Sequence, residues 1–420
     1  MKKINTINLK LLDGVQFLDG SFHLSNGGSG ILYNPISQLY LFTDSSTDMA
    51  ASTKTIKEPV KPVYPAVRKY RVEITENCTG GCSYCLVYKN RVLKQREDGM
   101  CYRDMPAETA HRIVHMFNEE VGSNGSIMIM GGEPLINWPA VAVFLENALG
   151  HVNIYTNGVG FTEKMADEVA KHDGRVYVSL DGAGAQANRF RVLKNGQQML
   201  PYSLKSYDIL RERGVKTAIN MVVTDETVSD LRDHVAYFVE DLGCKTMGLT
   251  HPHFTEFADI PLDIGAYVSS MQNVFNYAKE HGVFVDQIAK RLQPIVDRKY
   301  RLIGCKSAGE QRTFKVDGSE TVCTKIDAHP KTAFLTVEDI QKNLPVNSPY
   351  CHTKCIGEGS CGGGCYFDAA MLALESPADE RECRITIGIV TKVLYDMLEE
   401  HEKGVDNFSK LYGDMLASFR

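Results

Sequence analysis

The chain has 420 residues, long for one domain, and length alone predicts about two to three compact units. Hydrophobic residues make up 43% and charged residues 23%, an ordinary globular balance that can fill a sizeable core. A formal net charge of −6 argues against a nucleic-acid partner held through phosphate contacts, which would favour a basic face.

The start, MKKINTINLKLLDG, has lysines but no apolar run of signal-peptide length, and no later stretch reaches the apolar length of a membrane span. The expectation is a soluble, cytoplasmic protein without a membrane partner. Residues 1–50 read as short β segments (INTINLKL, VQFLDG, SFHLS, GILYN, QLYLFTD) separated by Gly, Asn and Pro turn signals, with no helical period. Residues 51–66 are rich in Lys and Pro and read as a linker.

From about 69 to 300 the pattern alternates between strands and helices, the signature of a parallel α/β sheet or barrel. KYRVEIT, SIMIMGG, VNIYTNG, RVYVSLDG, KTAINMVVT and CKTMGLTHP are the strand candidates. Helices are expected over 106–121, 138–149, 162–172, 203–214, 226–242 and 263–282. Six strands with six crossovers predict a partial, TIM-like (β/α)6 barrel, whose right-handed crossovers put the strand C-termini on one rim. Residues 305–383 are rich in Cys and Gly with weak periodicity; such a segment buries little apolar area and is expected to fold around metal. The tail from 384 returns to a helical pattern. The expected organisation is thus a β-rich region and linker (1–66), an α/β core (67–300), a Cys-rich domain (301–385) and a C-terminal helix (386–420).

Twelve cysteines in a long chain with no export signal favour metal over disulfides. Ten of them fall into a group of three and a group of seven. Cys78, Cys82 and Cys85 form CxxxCxxC directly after the strand KYRVEIT, on the first βα loop. Thiolates from three close cysteines can hold three irons of a four-iron cube and leave the fourth for another ligand, and the adjacent Gly80 and Gly81 let the loop wrap tightly. A zinc knuckle completed elsewhere, or three unrelated thiols, are the alternatives; no His or further Cys stands nearby at zinc-like spacing.

At these residues the sequence resembles the radical S-adenosylmethionine (radical SAM) superfamily over about 69–300. Gly131-Gly132-Glu133-Pro134 ends the second strand candidate and matches the family's GGEP motif. The resemblance implies that this loop, Glu133 included, binds the amino group of the cofactor's methionyl moiety. Tyr84 resembles the aromatic that lies against adenine. By the same resemblance Ser179, with Asn157 and Asp181 as further candidates, contacts ribose, carboxylate or substrate; polar caps of strand-to-helix turns are the alternative for Asn157 and Asp181. Asn220 is a further candidate in the fifth strand. Arg189 and Arg191 either pair with a carboxylate or lie on a solvated loop. The implied chemistry is reductive cleavage of S-adenosylmethionine to a 5′-deoxyadenosyl radical that abstracts a substrate hydrogen, with an electron donor such as flavodoxin or ferredoxin.

Cys305, Cys323, Cys351, Cys355, Cys361, Cys365 and Cys383 form the second group. Seven thiols suffice for one fully ligated four-iron cluster and one three-thiolate cluster; two zinc sites are the alternative. The layout resembles the SPASM extension of peptide- and protein-modifying radical enzymes. That resemblance assigns Cys305, Cys323 and Cys365 to a first auxiliary [4Fe–4S] cluster, and Cys351, Cys355, Cys361 and Cys383 to a second, giving three clusters in all. The CxxxC at 351–355 departs from the family's more usual CxxC. Residues 306–311, KSAGEQ, lack the extra cysteine some relatives carry there, so the fourth iron of the first auxiliary cluster is either open or held by a side chain such as Glu310. Cys101 and Cys244 are left as buried, inert thiols.

The leading functional expectation is a maturase of a ribosomally made precursor peptide that forms a thioether or carbon–carbon crosslink. A β-rich N-terminus able to capture a leader by strand addition would suit it, although it lacks the helices of the usual recognition domain. The alternatives are a formylglycine-generating maturase of the sulfatase-maturing type and a radical dehydrogenase of a small molecule. Thr324, where the sulfatase-maturing relatives have Asp, speaks against the former, while Asp317 and Asp327 lie close by in sequence.

Overall fold

In a computed structural model the described residues are 15–56, 63–86, 102–253, 260–329, 331–348, 351, 354–371 and 379–419. The segment INTINLKL and Cys101 lie outside them.

The first unit is a four-stranded antiparallel meander, β1 (Val15–Leu18), β2 (Ser21–Ser25), β3 (Gly30–Tyr33) and β4 (Tyr40–Thr43). Asp19 and Gly20, at φ 44° and 82°, make the first turn, the paired positive angles that a tight hairpin with native twist requires. A helix, α1 (Met49–Ile56), follows. The stretch expected to be a linker from residue 51 is therefore helical at its start, because Thr53 and Ile56 bury one face against the meander.

The central sheet contains the six strand candidates, all parallel: β5 (Lys69–Glu73), β6 (Ser126–Met130), β7 (His151–Thr156), β8 (Arg175–Ser179), β9 (Lys216–Val222) and β10 (Thr246–Thr250). Between them run α2 (Ala107–Glu120), α3 (Trp138–Asn147), α4 (Glu163–Lys171), α5 (Leu200–Glu212) and α6 (Leu231–Glu240), with α7 (Ile264–His281) after β10. This is the partial (β/α) barrel. Period-2 alternation puts Tyr70, Val72, Ile127, Ile129, Val176 and Val178 on the face covered by helices, all fully buried. Alternate residues share the other face, where Tyr155 and Tyr177 stack with ring centroids 4.2 Å apart.

Three short strands extend this sheet beyond the six. β11 (Phe284–Val285) adds parallel to β10; β12 (Gln311–Phe314) adds parallel to β5; β13 (Glu320–Thr321) closes a hairpin with β12. The order is β11-β10-β9-β8-β7-β6-β5-β12-β13. A helix α8 (Asp286–Asp297) follows β11, and the helix expected over 226–242 is divided into Asp225–Val228 and α6.

Residues 305–383 bury more than their composition predicts. Leu302, Ile303, Ala308, Ile326, Ile340, Leu344 and Phe367 form a second apolar cluster with Leu86, the residue after Cys85. The final long helix, α9 (Glu380–Glu402), is capped by Asp379, whose side chain accepts from the Arg381 N–H at 2.9 Å. It crosses α7 closely at Gly388, where a Cβ would lie 2.3 Å from Val268 Cγ1, and Lys279 of α7 reaches Asp396 and Glu400 at 2.7 and 3.1 Å. Among the described residues no helix is long and apolar enough to cross a membrane.

Candidate functional site

The Cys78–Cys85 loop leaves β5 and is clamped from the far side by residues 190–194. Gly81 N–H donates to Val192 O at 2.8 Å, Lys194 N–H to Thr79 O at 3.1 Å, and Gly80 bridges Leu193. The thiols converge around Gly80. A Cβ at that position would lie 3.5 and 3.6 Å from Sγ of Cys78 and Cys82, and 2.4 Å from Met199 Cε. Burial pushes the Cys78 thiol up to about 12 and the Cys82 thiol up to about 11, the latter in spite of the Arg191 charge. Thiols raised in this way become thiolates when a thiophilic cation sits among them. Among the described residues the donor set, three sulfurs and no imidazole, suits an iron–sulfur cube with one iron left over.

GGEP is stitched to that loop. Gly132 N–H donates to Thr75 O and Glu133 N–H to Asn77 O, both at 2.8 Å. The approach leaves no room for a side chain, since a Cβ on Gly132 would lie 2.0 Å from Asn77 O. The Glu133 carboxyl is 1% exposed. Its partners are Thr156 Oγ1 at 2.6 Å, Asn157 N–H at 2.7 Å and Leu135 N–H at 3.2 Å. Burial pushes its pKa up to about 7 against these three bonds. The Glu133 carboxyl, to which the resemblance assigns an ammonium partner, also ties GGEP to the end of β7 through Thr156 and Asn157.

Asn157 comes closest to the cysteines from another strand. Its Nδ2 donates to Thr79 Oγ1 at 3.0 Å and approaches Cys78 Sγ at 3.9 Å. Ser179 ends β8 opposite Asn220. Asp181 is buried and its carboxylate is filled by the protein: it accepts from Tyr84 Oη and, at 2.9 Å, from Val222 N–H, and it pairs with Arg191 at 2.9 Å. Arg191 also lies over the Tyr84 ring, 5.4 Å from its centroid. Tyr84, expected against adenine, is thus tied through its hydroxyl to Asp181. Arg189 and Arg191 part company: Arg189 pairs with Glu226 in a more exposed setting, while Arg191 is buried with its Nε unpartnered among the described residues. Sequence reasoning missed Met199, which packs on Gly80, and Asn188, which holds Asp181 N–H at 2.8 Å; neither stands in a motif.

The seven later cysteines lie in two neighbourhoods. Cys305 is close enough to Cys323, and Cys365 to Cys305, for their charges to interact. Cys383 interacts in the same way with Cys361, Cys355 and Cys351. Burial raises the Cys351 and Cys355 thiols to about 11 and 12. Tyr366 stands between the groups, facing Cys305, Cys361 and Cys365. Glu310 pairs with Lys306 at 2.5 Å. Cys244 is buried and bonded to Thr246 O at 3.2 Å, apart from either group.

A β/α barrel with a three-cysteine first loop and a glycine-rich second loop is the arrangement on which the resemblance to radical S-adenosylmethionine proteins rests. Residues 72–238 match the Radical SAM superfamily, so this stretch of the chain carries a Radical SAM domain. The chain is 23% identical over 281 residues to the radical SAM cyclopropyl synthase TigE of Paramaledivibacter caminithermalis, a match covering 61% of this chain and 57% of that protein. The solved structure of anSMEcpe with bound AdoMet superposes with a TM-score of 0.63 at 17% identity, covering 85% of this chain and 100% of the other. Streptococcus suis SuiB bound to its precursor peptide SuiA superposes with a TM-score of 0.52 at 13% identity, covering 86% and 98%. These likenesses establish a shared fold.

Proposed function

We propose that this chain is a peptide-modifying radical SAM enzyme of the SPASM type. It acts on a ribosomally made precursor and joins two of its atoms as a thioether or a carbon–carbon bond. The observation that carries the reading is the division of the seven later cysteines into two groups beside the barrel. Cleavage of S-adenosylmethionine alone needs only the first three. The fold is also shared with anSMEcpe, solved with a Cp18Cys peptide, and with SuiB, solved with SuiA.

Cys78, Cys82 and Cys85 would hold one cluster, Cys305, Cys323 and Cys365 a second, and Cys351, Cys355, Cys361 and Cys383 a third. With a cluster and S-adenosylmethionine bound, this site would supply reductive cleavage of the cofactor and abstraction of one substrate hydrogen, the second hydrogen leaving as a proton with its electron passed to a later cluster. The chain's own residues supply position. The GGEP backbone, fixed by Glu133, offers its polar groups to the methionyl end. Asn157 orders the Cys78 side of the loop. The Tyr84–Asp181–Arg191 triad closes the Cys82 side and keeps water from it.

The test is anaerobic incubation with S-adenosylmethionine, reductant and a candidate precursor peptide, sought as a short reading frame beside the gene. The expected outcome is 5′-deoxyadenosine together with a peptide lighter by about two mass units, the loss of two hydrogens. Tandem fragmentation then tells a thioether from a carbon–carbon closure, including the ring that the name of TigE suggests. Alanine at Cys78, Cys82 and Cys85 should abolish 5′-deoxyadenosine; cleavage that survives the triple change refutes the reading.

A further inference from the structure

Strand β10 runs out into His251-Pro252-His253 at the barrel rim, and each histidine reaches into a different cysteine neighbourhood. His251 Nε2 lies 3.0 Å from Glu382, next to Cys383. His253 Nδ1 lies 2.9 Å from Asp368 Oδ2, three residues after Cys365. Ligand-type atoms of His253, Asp368 and Cys365 all lie within 4.8 Å of one another.

We propose that His253 is the fourth, non-cysteine ligand of the cluster held by Cys305, Cys323 and Cys365, bound through Nε2, with Asp368 orienting its ring. The inference rests on the two-auxiliary-cluster reading above and deepens it.

Three observations carry it. The first is the donor count. Three thiols leave one corner of a four-iron cube without a protein sulfur, and Glu310, the first carboxylate after Cys305, is paired with Lys306. The second is the tautomer. A carboxylate only accepts, so Nδ1 carries the proton and donates to Asp368 while Nε2 keeps its lone pair. That lone pair faces the Lys325 ammonium, whose charge also reaches Cys305 and Cys365. Nε2 therefore points at a positive charge that acts on two of the thiols, and an iron bound there would take the place of that ammonium. The third is support. Asp368 is fully buried and is held in turn by Arg381 at 3.3 Å. A metal-binding histidine characteristically gives its other N–H to such a carboxylate.

An imidazole in place of a thiolate makes the site less negative and raises its reduction potential. It also occupies the iron that a substrate thiolate would otherwise take. The assignment therefore gives this cluster to electron transfer rather than to substrate binding.

The experiment uses the full chain carrying Cys78→Ala, Cys82→Ala and Cys85→Ala, so that only the later cysteines load. The protein is prepared with 15N-histidine, reconstituted anaerobically, reduced and examined by pulsed electron paramagnetic resonance. A loading of about eight irons, with a nitrogen coupling that changes with the label and is lost in His253→Cys, supports the ligation. About eight irons with no histidine coupling, or a coupling that persists in His253→Cys, overturns it. A loading of about four irons instead overturns the two-cluster reading beneath it, so iron content tells the two failures apart. Redox titration gives a second readout: His253→Cys should lower one of the two potentials and leave the other in place. Two unchanged potentials overturn the assignment.

Discussion

Glu133 and Gly132 sit side by side in one loop and fail in different ways when changed. The buried Glu133 carboxyl keeps its proton up to about pH 7, whereas in the unfolded chain it gives it up near 4.5. Folding therefore takes up a proton between those values, and this group's contribution to stability is full below pH 4.5 and lost as pH rises through 7. Glu133→Gln should flatten that part of the curve by up to about 3 kcal/mol, read as the denaturant midpoint of variant and parent at successive pH values. Gly132→Ala meets the Asn77 backbone, which cannot swing aside, and should cost about 1–3 kcal/mol. Gly80→Ala meets the flexible end of Met199 and should cost less; urea unfolding of the two variants under argon compares them directly. Much at this scale was legible in the sequence. CxxxCxxC and GGEP stand at spacings that their chemistry needs, so both were found without a structure. The Tyr84–Asp181–Arg191 triad was not, because nothing in the local pattern separates Arg191 from Arg189. Only the fold, by bringing residues 190–194 over the cysteine loop, buries one and leaves the other in a wetter pair.

At the scale of elements, α9 begins beside a group of cysteines and ends as a packing helix. Glu382 in its first turn pairs with Arg291 of α8 at 2.8 Å and with His251 at 3.0 Å. Burial would push its carboxyl up, but the His251 hydrogen bond and the Arg291 charge hold it well below the ordinary carboxylate range. Glu382→Ala would leave Arg291, 3% exposed, without its carboxylate. The expected loss is about 3–5 kcal/mol, with weaker retention of iron at the Cys351–Cys383 group, measured by chelator challenge against the parent chain. The six long strands were readable because each carries enough alternating apolar residues to show its period. β11 has two residues and β12 reads QRTF, too short and too polar to show one. Their strand form comes from unsatisfied edges of β10 and β5, an opportunity present only once the barrel exists. Helix α1 escaped notice for a similar reason: eight residues rich in Thr and Ala bury only Thr53 and Ile56.

For the whole molecule, the meander, barrel and cysteine-rich segment share surfaces. Ser360 donates to Gln38 at 3.3 Å beside Cys361, and Asn26 of the meander reaches Glu402 of α9 at 3.0 Å. A chain loaded at all three sites should carry about twelve irons. Alanine at Cys351, Cys355, Cys361 and Cys383 together should remove about four of them. Such a variant should still form 5′-deoxyadenosine while losing peptide product, an uncoupling visible by chromatography of the nucleoside beside mass spectrometry of the peptide. Equal loss of both would place that group in service of the first cluster as well.

The pairing of β5 with β12 has a consequence for how the protein is made. The ladder partner of Lys69 is Gln311, so the strand that leads into the first cysteine loop waits for a segment synthesised much later. At about 5–20 residues per second the interval is roughly ten to fifty seconds. Throughout it, one edge of the nascent sheet stays open to the wrong strand, and the cysteines at 78–85 have emerged before the segment that completes their sheet. Oxygen, stray metals and aggregation all act within that window. Slow translation or scarce iron should therefore damage yield more than it damages the stability of finished molecules.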